Sequence, residues 1–104
     1  MIKLLIMYPK PANPEHFKRH YLEHHLPLCA KIPGALRMNY TFEPETVQGT
    51  EEWFCIFEME CRDRDALNAA LATSESRAAA ADVKNYSVVK PTCLIIDFSE
   101  VGVI

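Results

Sequence analysis

The spacing of hydrophobic residues divides the first third of the chain into a strand and a helix. Residues 2–8 are almost all large and apolar, and Pro9 and Pro11 close the run, which predicts a buried strand ended by a stiff turn. Asn13 and Pro14 then supply a helix N-cap and a residue preset for the first helical turn. An apolar stripe at helical spacing follows, formed by Phe17, Tyr21, His24 and Leu28.

Pro27 falls inside this predicted helix and must disturb it. A proline ring clashes with the carbonyl four residues back, and it lacks the N–H that would continue the helical ladder. An ideal helical wheel places His24, rather than His25, nearer the stripe that contains Tyr21. A distortion at Pro27 that rotates the register by one residue would bring His25 to that stripe, so both histidines are candidates for the inward position.

The pattern changes to period two after Pro33 and Gly34. Residues 36–42 alternate between apolar and polar, which predicts a half-buried strand, and residues 43–51 read as a loop. Residues 53–61 predict a second strand that is apolar on both faces at its start and is therefore central. On the first of these strands, one face carries Leu36, Met38, Tyr40 and Phe42. On the second strand, one face carries Trp53, Cys55, Phe57 and Met59, and the opposite face begins with Phe54.

The rest of the chain predicts two helices and a strand. Residues 63–71 form a helix with Leu67, Ala70 and Leu71 inward, and Ser74 is placed to cap an alanine-rich helix over residues 75–83. Residues 92–98 form the last strand. The order β-α-β-β-α-β predicts an α+β, ferredoxin-like fold with a four-stranded antiparallel sheet, in a single domain that spans residues 1–104.

Both faces of this predicted sheet are apolar. Ile2, Leu4 and Ile6 lie on one face of the first strand, whereas Leu5 and Met7 lie on the other, and helices on one side leave the second face uncovered. A chain of 104 residues is too short to cover that face by itself. We therefore expect a homodimer in which two sheets pack face to face.

Composition narrows the classes of partner and compartment. The net charge of -3, without a basic run, argues against nucleic acid and anionic membranes, and no stretch approaches the roughly 20 apolar residues that span a bilayer. The start of the sequence shows no signal-peptide pattern. The cysteines are scattered without a C-x-x-C pair, so we expect reduced, buried thiols in a cytoplasmic protein; they are Cys29, Cys55, Cys61 and Cys93.

Candidate chemistry concentrates at the end of the first helix, where His20, His24 and His25 lie beside Tyr21 and Glu23. Imidazole exchanges a proton near neutral pH, so this cluster on an apolar stripe indicates acid/base chemistry, with His25 and His20 as candidate catalytic residues. His20 and His24 also have the spacing of two metal ligands, but Glu23 points about 100 degrees away from His24 and no further ligand group follows. We therefore expect no metal site, and with only three glycines and no phosphate-binding loop we expect no nucleotide cofactor.

The sequence also carries motifs of a known family. They are His20-Tyr21, His25-Leu26-Pro27-Leu28 and Lys31-Ile32-Pro33-Gly34, followed in order by Glu58-Met59, Arg62-Asp63, Ser74-Glu75-Ser76 and residues 82–86. This pattern resembles the signature of the EthD family, named for ethyl tert-butyl ether degradation, within the dimeric α+β barrel superfamily. The resemblance covers nearly the whole chain, and the His-x-Pro-Leu segment is its most specific part.

The resemblance implies a homodimeric barrel and a pocket between the sheet and helices of each subunit. Relatives in the superfamily include a methylmuconolactone methylisomerase, polyketide cyclases, and small cofactor-free oxygenases and lyases. Met59 stands where that methylisomerase has a cysteine, which argues against thiol-dependent lactone isomerisation. We predict that His25 lines the pocket and that a small hydrophobic ligand contacts Tyr21, His24, Leu28, Tyr40, Trp53 and Met59.

Two functions remain open at this point. In the first, the protein is a cofactor-independent enzyme in which His25, helped by His20 or a tyrosine, moves a proton on a hydrophobic carbonyl, lactone or phenolic compound. In the second, it is a non-catalytic binding or accessory protein of an oxygenase system. A structural role is also open for His25, whose ring could satisfy the backbone acceptor that Pro27 leaves free, and Glu58 in the central strand needs a partner such as Arg37 or a group across the dimer.

Overall fold

Four strands form one antiparallel sheet in the order β2-β3-β1-β4 in the computed structural model, which describes residues 1–104. The strands are β1 (Ile2–Tyr8), β2 (Arg37–Phe42), β3 (Cys55–Cys61) and β4 (Thr92–Asp97). β1 and β3 are the central pair, and their register places Leu4 opposite Met59. The predicted ferredoxin-like α+β arrangement and the central position of β3 are confirmed.

Helices lie on one side of this sheet. The first helical segment comprises α1 (Pro14–His20), a π-helical turn (Tyr21–His25) and α2 (Leu26–Cys29), and the second comprises α3 (Arg64–Leu71), α4 (Ser74–Asp82) and a 3-10 turn (Val83–Asn85). Asn13 and Asp63 cap α1 and α3 by accepting backbone N–H groups. The cap of α4 is Thr73, not the predicted Ser74, because Thr73 has the extended backbone and its hydroxyl accepts from the Ser76 N–H at 3.1 Å.

The π-helical turn accommodates Pro27 and sets the register of the histidines. Within it the Leu26 N–H bonds to the Tyr21 carbonyl five residues back, so the turn holds one residue more than an α-helical turn. The extra residue rotates the end of the turn, and His25 is buried on the side of Tyr21 while His24 is exposed. The structure thus realises the second of the two registers that the sequence left open.

The core has an aliphatic part and an aromatic part. The aliphatic part lies between β1, β3 and α3 and includes Leu4, Met59 and Leu67. The aromatic part surrounds Phe17, which is fully buried and whose ring centroid lies 4.9 to 5.5 Å from those of Tyr8, Tyr21, Phe54 and Tyr86. Aromatic rings at these separations attract one another, so this cluster fixes α1 and the π-helical turn against the end of the sheet.

Several predicted details are wrong. β3 begins at Cys55, so Trp53 lies outside the strand and Phe54, freed from the alternation, turns into the aromatic core. Leu36 precedes β2 and is 57% exposed, because β2 is an edge strand that the helices cover poorly. Cys93 is exposed rather than buried, since it lies on the opposite edge strand β4, although all four cysteines are free.

The second face of the sheet has no helix over it. β1, β3 and β4 place apolar side chains there, among them Leu5, Ile56 and Leu94. Leu5 lies directly opposite Leu94, and Ile56 lies opposite Met7. Two ion pairs cross the same face, Lys3 with Glu58 at 3.7 Å and Arg37 with Glu60 at 2.7 Å. Glu58 therefore pairs with Lys3 rather than with the predicted Arg37, because the register sets Arg37 directly opposite Glu60. No helix in the structure is long and apolar enough to cross a membrane.

Candidate functional site

A cavity of about 760 Å³ lies between the sheet and the helices. β1 and β3 supply its floor, α2 and α4 supply its walls, and the chain between α4 and β4 borders its mouth. Most of the lining side chains are apolar, including Ile6, Phe57 and Ala79. A volume of this size and a lining of this kind are typical of sites that hold small organic molecules.

His25 lies in the wall of this cavity and is only 4% exposed. Its Nδ1 bonds to a carboxylate oxygen of Asp82 at 3.0 Å, which assigns the ring proton to Nδ1. Nε2 makes no hydrogen bond within the chain. The only side-chain nitrogen or oxygen that is both fully buried and without a hydrogen bond is Tyr21 Oη. His25 Nε2 has no hydrogen bond, so it is not fully buried, and the cavity that the ring lines is where it is accessible. A neutral imidazole in this state offers its lone pair to a bound molecule.

The alternative in which His25 caps the backbone near Pro27 is wrong, because the only hydrogen bond of its side chain goes to Asp82. Burial lowers the pKa of His25, while the hydrogen bond and the charge of Asp82 oppose that shift. The net direction is downward, so the ring is neutral at neutral pH. A neutral ring is the form that accepts a proton.

Asp82, at the end of α4, is the centre of a buried hydrogen-bond network. Its carboxylate accepts from His25 Nδ1, from His20 Nε2 at 2.8 Å and from Asn85 Nδ2 at 2.9 Å. Burial alone would raise the pKa of Asp82, but the hydrogen bonds from Asn85, His20 and His25 outweigh it and the pKa lies below its ordinary value. The group is therefore an anion that orients His25 and holds its proton on Nδ1.

His20 binds the same carboxylate from the side away from the cavity. It does not line the cavity, and its side chain remains 19% exposed. Its ring stacks on Tyr86 with centroids 5.6 Å apart. The structure therefore places this candidate catalytic residue behind Asp82, where it touches His25 only through the carboxylate.

Tyr8 and Tyr86 form a second polar group next to His25. Their hydroxyls are 2.6 Å apart, Tyr8 lines the cavity, and the Tyr86 ring centroid lies 4.8 Å from that of His25. Burial raises the pKa of both phenols far above the ordinary value, so both stay protonated. One hydroxyl donates to the other, which leaves one O–H proton without an acceptor in the chain.

The structure brings together only some of the predicted ligand-contacting residues. Met59 lines the cavity with His25, and Tyr21 stacks on His25 from behind with centroids 5.2 Å apart. The other four lie away from the cavity: Leu28 borders a shallower surface depression, Tyr40 is 47% exposed on an edge strand, and His24 and Trp53 are absent from the lining. Tyr40 and Trp53 are displaced because β2 forms the edge of the sheet and β3 begins after Trp53.

The structure holds no group of three or more histidine, cysteine, aspartate or glutamate side chains arranged to bind a metal ion. The nitrogens of His20 and His25 that meet at Asp82 are engaged by its carboxylate, and His24 lies outside this network. The histidine cluster is thus organised by a carboxylate.

Sequence reasoning missed Asp82, Tyr8 and Tyr86 as members of the site. Asp82 lies 57 residues from His25 along the chain, and no local pattern connects them. The available signal was the segment 82–86, which matches the family pattern, together with an aspartate at the inner end of an alanine-rich helix. A buried aspartate needs donors, and the donors that reach it in this fold are His20, His25 and Asn85.

Comparison with known proteins supports the family resemblance of the motifs. The family model described as the EthD domain matches residues 10–88. A curated Rhodococcus erythropolis protein, described as an uncharacterized 11.0 kDa protein in the thcB-thcC intergenic region, is 29% identical over 98 residues and covers 93% of this chain and 94% of its own length.

Solved structures agree with the fold. An EthD family protein from Bacillus halodurans has a TM-score of 0.86 and 29% identity, with 95% of this chain and 99% of that chain covered. A dimeric protein of unknown function with a ferredoxin-like fold from Bacteroides fragilis has a TM-score of 0.66 and 15% identity, covering 93% and 95%. SnoaB, a cofactor-independent oxygenase from Streptomyces nogalater, has a TM-score of 0.64 and 16% identity, covering 96% and 94%. The last two similarities concern the fold alone.

Proposed function

The chain belongs to the EthD family, and we propose that it is a cofactor-independent enzyme that moves a proton on a small hydrophobic carbonyl, lactone or phenolic compound held in the cavity. His25 is the general base, Asp82 is the residue that orients it, and His20 supports Asp82 from outside. The reaction is of an isomerase, cyclase, lyase or cofactor-free oxygenase type that begins by removing an acidic proton from carbon or oxygen.

The single observation that carries this proposal is the direction of the His25 ring. Nδ1 faces the Asp82 carboxylate at 3.0 Å, and Nε2 is left free at an apolar cavity of about 760 Å³. A base needs its lone pair at the ligand, a neutral ring at working pH and a fixed orientation. The free Nε2, the neutral ring and the hydrogen bond to Asp82 give His25 these three properties. A site that only binds an apolar molecule would need none of the three.

Removal of a proton next to a carbonyl leaves negative charge on an oxygen, which requires a donor. The Tyr8–Tyr86 pair has one O–H proton to spare, and Tyr8 borders the cavity. Preorganised donors of this kind stabilise a developing oxyanion more than they stabilise the neutral substrate. With Tyr86 donating to Tyr8, the spare O–H proton belongs to Tyr8, which is therefore the tyrosine in this role.

Deuterium incorporation is the experiment that tests the base. Candidate ketones, lactones and phenols are incubated with the protein in D₂O and followed by proton NMR, since a base that removes a carbon-bound proton exchanges it with solvent even when no product forms. We expect exchange with wild-type protein and with His24→Gln, the matched control on the same helix, and a loss of about 10²-fold or more with His25→Gln.

Native mass spectrometry of protein purified from its source would supply the compound class for that panel. If a retained small molecule shows no His25-dependent exchange or turnover, the proposal of an enzyme is rejected and the alternative, a ligand-binding accessory protein, is supported. Equal exchange in wild-type protein and His25→Gln would contradict the catalytic role directly.

We further propose that two subunits pack through the uncovered sheet face. Leu5, Ile56 and Leu94 are apolar there, and the flanking charges are already paired within each subunit as Lys3–Glu58 and Arg37–Glu60. Charges that are already paired within each subunit, next to apolar side chains, suit an interface in which both partners present the same surface. The Bacteroides fragilis protein of the same fold is described as dimeric, which is consistent with a dimer.

Sedimentation tests the dimer. Wild-type protein should sediment as a dimer, and Ile56→Asp should dissociate or unfold it, because an unpaired carboxylate in an apolar interface is strongly unfavourable. The matched control is Val47→Asp, at a loop position that is 90% exposed, which should leave the dimer intact. A stable folded monomer of the wild-type protein at micromolar concentration would contradict the proposal.

A further inference from the structure

The mouth of the cavity carries a charge of one sign. The charged side chains that line the cavity are Lys84, in the 3-10 turn after α4, and Lys90, in the segment before β4. No aspartate or glutamate lines it. The chain as a whole has 14 acidic and 11 basic residues, so its overall charge has the opposite sign. The positive charge is therefore a local property of the cavity mouth and is not explained by the composition of the chain.

Neither lysine is neutralised within the chain. The ion pairs of the structure involve other residues, and no carboxylate lies within 4.0 Å of Lys84 or Lys90. The acid nearest to Lys84 in sequence, Asp82, is turned inward and its oxygens are taken by His20, His25 and Asn85. Both ammonium groups are thus available to a bound molecule.

The remaining polar side chains that line the cavity also include hydrogen-bond donors. The Ser76 hydroxyl makes no side-chain hydrogen bond and lines the cavity, and the Tyr8–Tyr86 pair holds one spare O–H proton. The Ser87 hydroxyl is already used, since it donates to the Val89 carbonyl at 2.6 Å. Apart from the His25 lone pair, the polar part of the site is suited to a ligand with oxygen acceptors and negative charge.

We propose that the ligand is an amphiphilic organic anion, with an apolar ring or chain in the cavity and a carboxylate or equivalent anionic group at Lys84 and Lys90. This inference rests on the proposed function and names the substrate class for it. The arrangement separates the two ends of the molecule: the anion stays at the wet mouth, and the acidic proton of the apolar part reaches His25.

Two fluorescent probes with the same ring system test the charge preference. 8-Anilinonaphthalene-1-sulfonate carries an anion, and N-phenyl-1-naphthylamine is the same molecule without it. At pH 7.5 and low salt, the double variant Lys84→Gln/Lys90→Gln should bind the anionic probe about 3- to 10-fold more weakly and the neutral probe equally well. Added salt should remove most of this difference, because mobile ions screen charges at an exposed mouth.

Two control variants locate the effect. Lys10→Gln changes an exposed lysine that forms no ion pair and lies outside the cavity, so it should leave both affinities unchanged. Ala80→Trp places a large side chain on the exposed rim of the cavity and should weaken both probes. An anionic affinity unchanged by the double lysine variant overturns the proposal, and so does binding of both probes that survives Ala80→Trp, because the anion site is then not this cavity.

Failure of this inference and failure of the proposed function give different results. His25→Gln should keep the preference for the anionic probe, since the imidazole is not the charged partner. A retained charge preference without His25-dependent deuterium exchange refutes the catalytic role alone. His25-dependent exchange on neutral compounds, with no charge preference in the probes, refutes the anionic ligand alone.

Discussion

Replacing Asp82 with asparagine tests the hydrogen-bond network on which the site depends. The change keeps the size of the side chain and removes its charge. The carboxylate accepts three N–H groups at 2.8, 2.9 and 3.0 Å, from His20, Asn85 and His25 respectively. In Asp82→Asn one oxygen can still accept from His20 and Asn85, but the other position becomes an NH₂ group that faces His25 Nδ1–H.

The magnitude can be worked out from those contacts. A hydrogen bond with a charged partner contributes about 1.5–3 kcal/mol and a neutral one about 0.5–1.5 kcal/mol, so two weakened bonds and one mismatched donor pair should lower the free energy of unfolding by about 2–4 kcal/mol at pH 7.5. Asp82 is only 9% exposed, so water replaces little of this loss. His25 can relieve the mismatch by moving its proton to Nε2, which removes the lone pair from the cavity.

The pH dependence has a definite sign. The folded pKa of His25 is lowered, so the unfolded chain binds its proton more readily and stability is lost as the pH falls below about 6.5. Asp82 has a lowered folded pKa as well, and its contribution is lost below about 3.9. In Asp82→Asn the carboxylate no longer opposes the effect of burial, so the His25 pKa falls further and more stability is lost as the pH falls below about 6.5.

Urea unfolding at a series of pH values measures both effects, and ¹⁵N NMR of the imidazole reports which nitrogen carries the proton. The matched control is Asp97→Asn, an exposed carboxylate at the end of β4 without a side-chain partner, which should change stability by less than about 0.5 kcal/mol. An unfolding free energy of Asp82→Asn within that margin, with a pH profile parallel to wild type, would refute the network as described.

Three further changes test the packing around the site. At pH 8 a polar alkylating agent should modify Cys93 first and leave the three buried thiols mostly unmodified, with one adduct by mass spectrometry; equal labelling of all four would contradict this. Phe17→Ala should lower the free energy of unfolding in urea by about 3–5 kcal/mol, whereas Val47→Ala should stay within about 0.5 kcal/mol. Tyr86→Phe keeps the ring but leaves a buried hydroxyl without its partner and should lower that free energy by about 1–3 kcal/mol, and an unchanged value would show that the pair adds nothing.

The strands were readable from the sequence because their alternation reflects burial on a fixed face. Leu4 and Met59 both lie on the helix face, together with the strand neighbours that the alternation predicts, and β1 and the start of β3 carry apolar side chains on both faces. The errors fall at the ends and edges. Trp53 precedes β3 and Leu36 precedes β2. At the end of a strand, backbone hydrogen bonding to the neighbouring strand decides whether a residue belongs to it, and the type of side chain does not reveal this.

The partner of His25 could not be predicted in the same way. Helical and strand periodicities connect residues within a few positions, whereas Asp82 meets His25 and His20 across 57 and 62 residues. This contact exists only because α4 packs next to the π-helical turn, and both elements rest on the same sheet. The family resemblance singled out His25 and the segment 82–86 separately, without stating that they touch.

The choice between His24 and His25 shows why a single proline matters for the chemistry. In an unbroken α-helix each residue turns by about 100°, so His24 would lie about 40° from the midpoint of Phe17 and Tyr21 and His25 about 60° from it, which makes His24 the nearer one. The bond from Leu26 N–H to the Tyr21 carbonyl inserts one extra residue before Pro27 and turns His25 onto the Tyr21 ring. The same rotation aims Nδ1 at Asp82 and leaves Nε2 at the cavity. The π-helical turn thus connects a backbone property of proline to the orientation of the proposed base, and π-helical turns of this kind are frequent at functional sites.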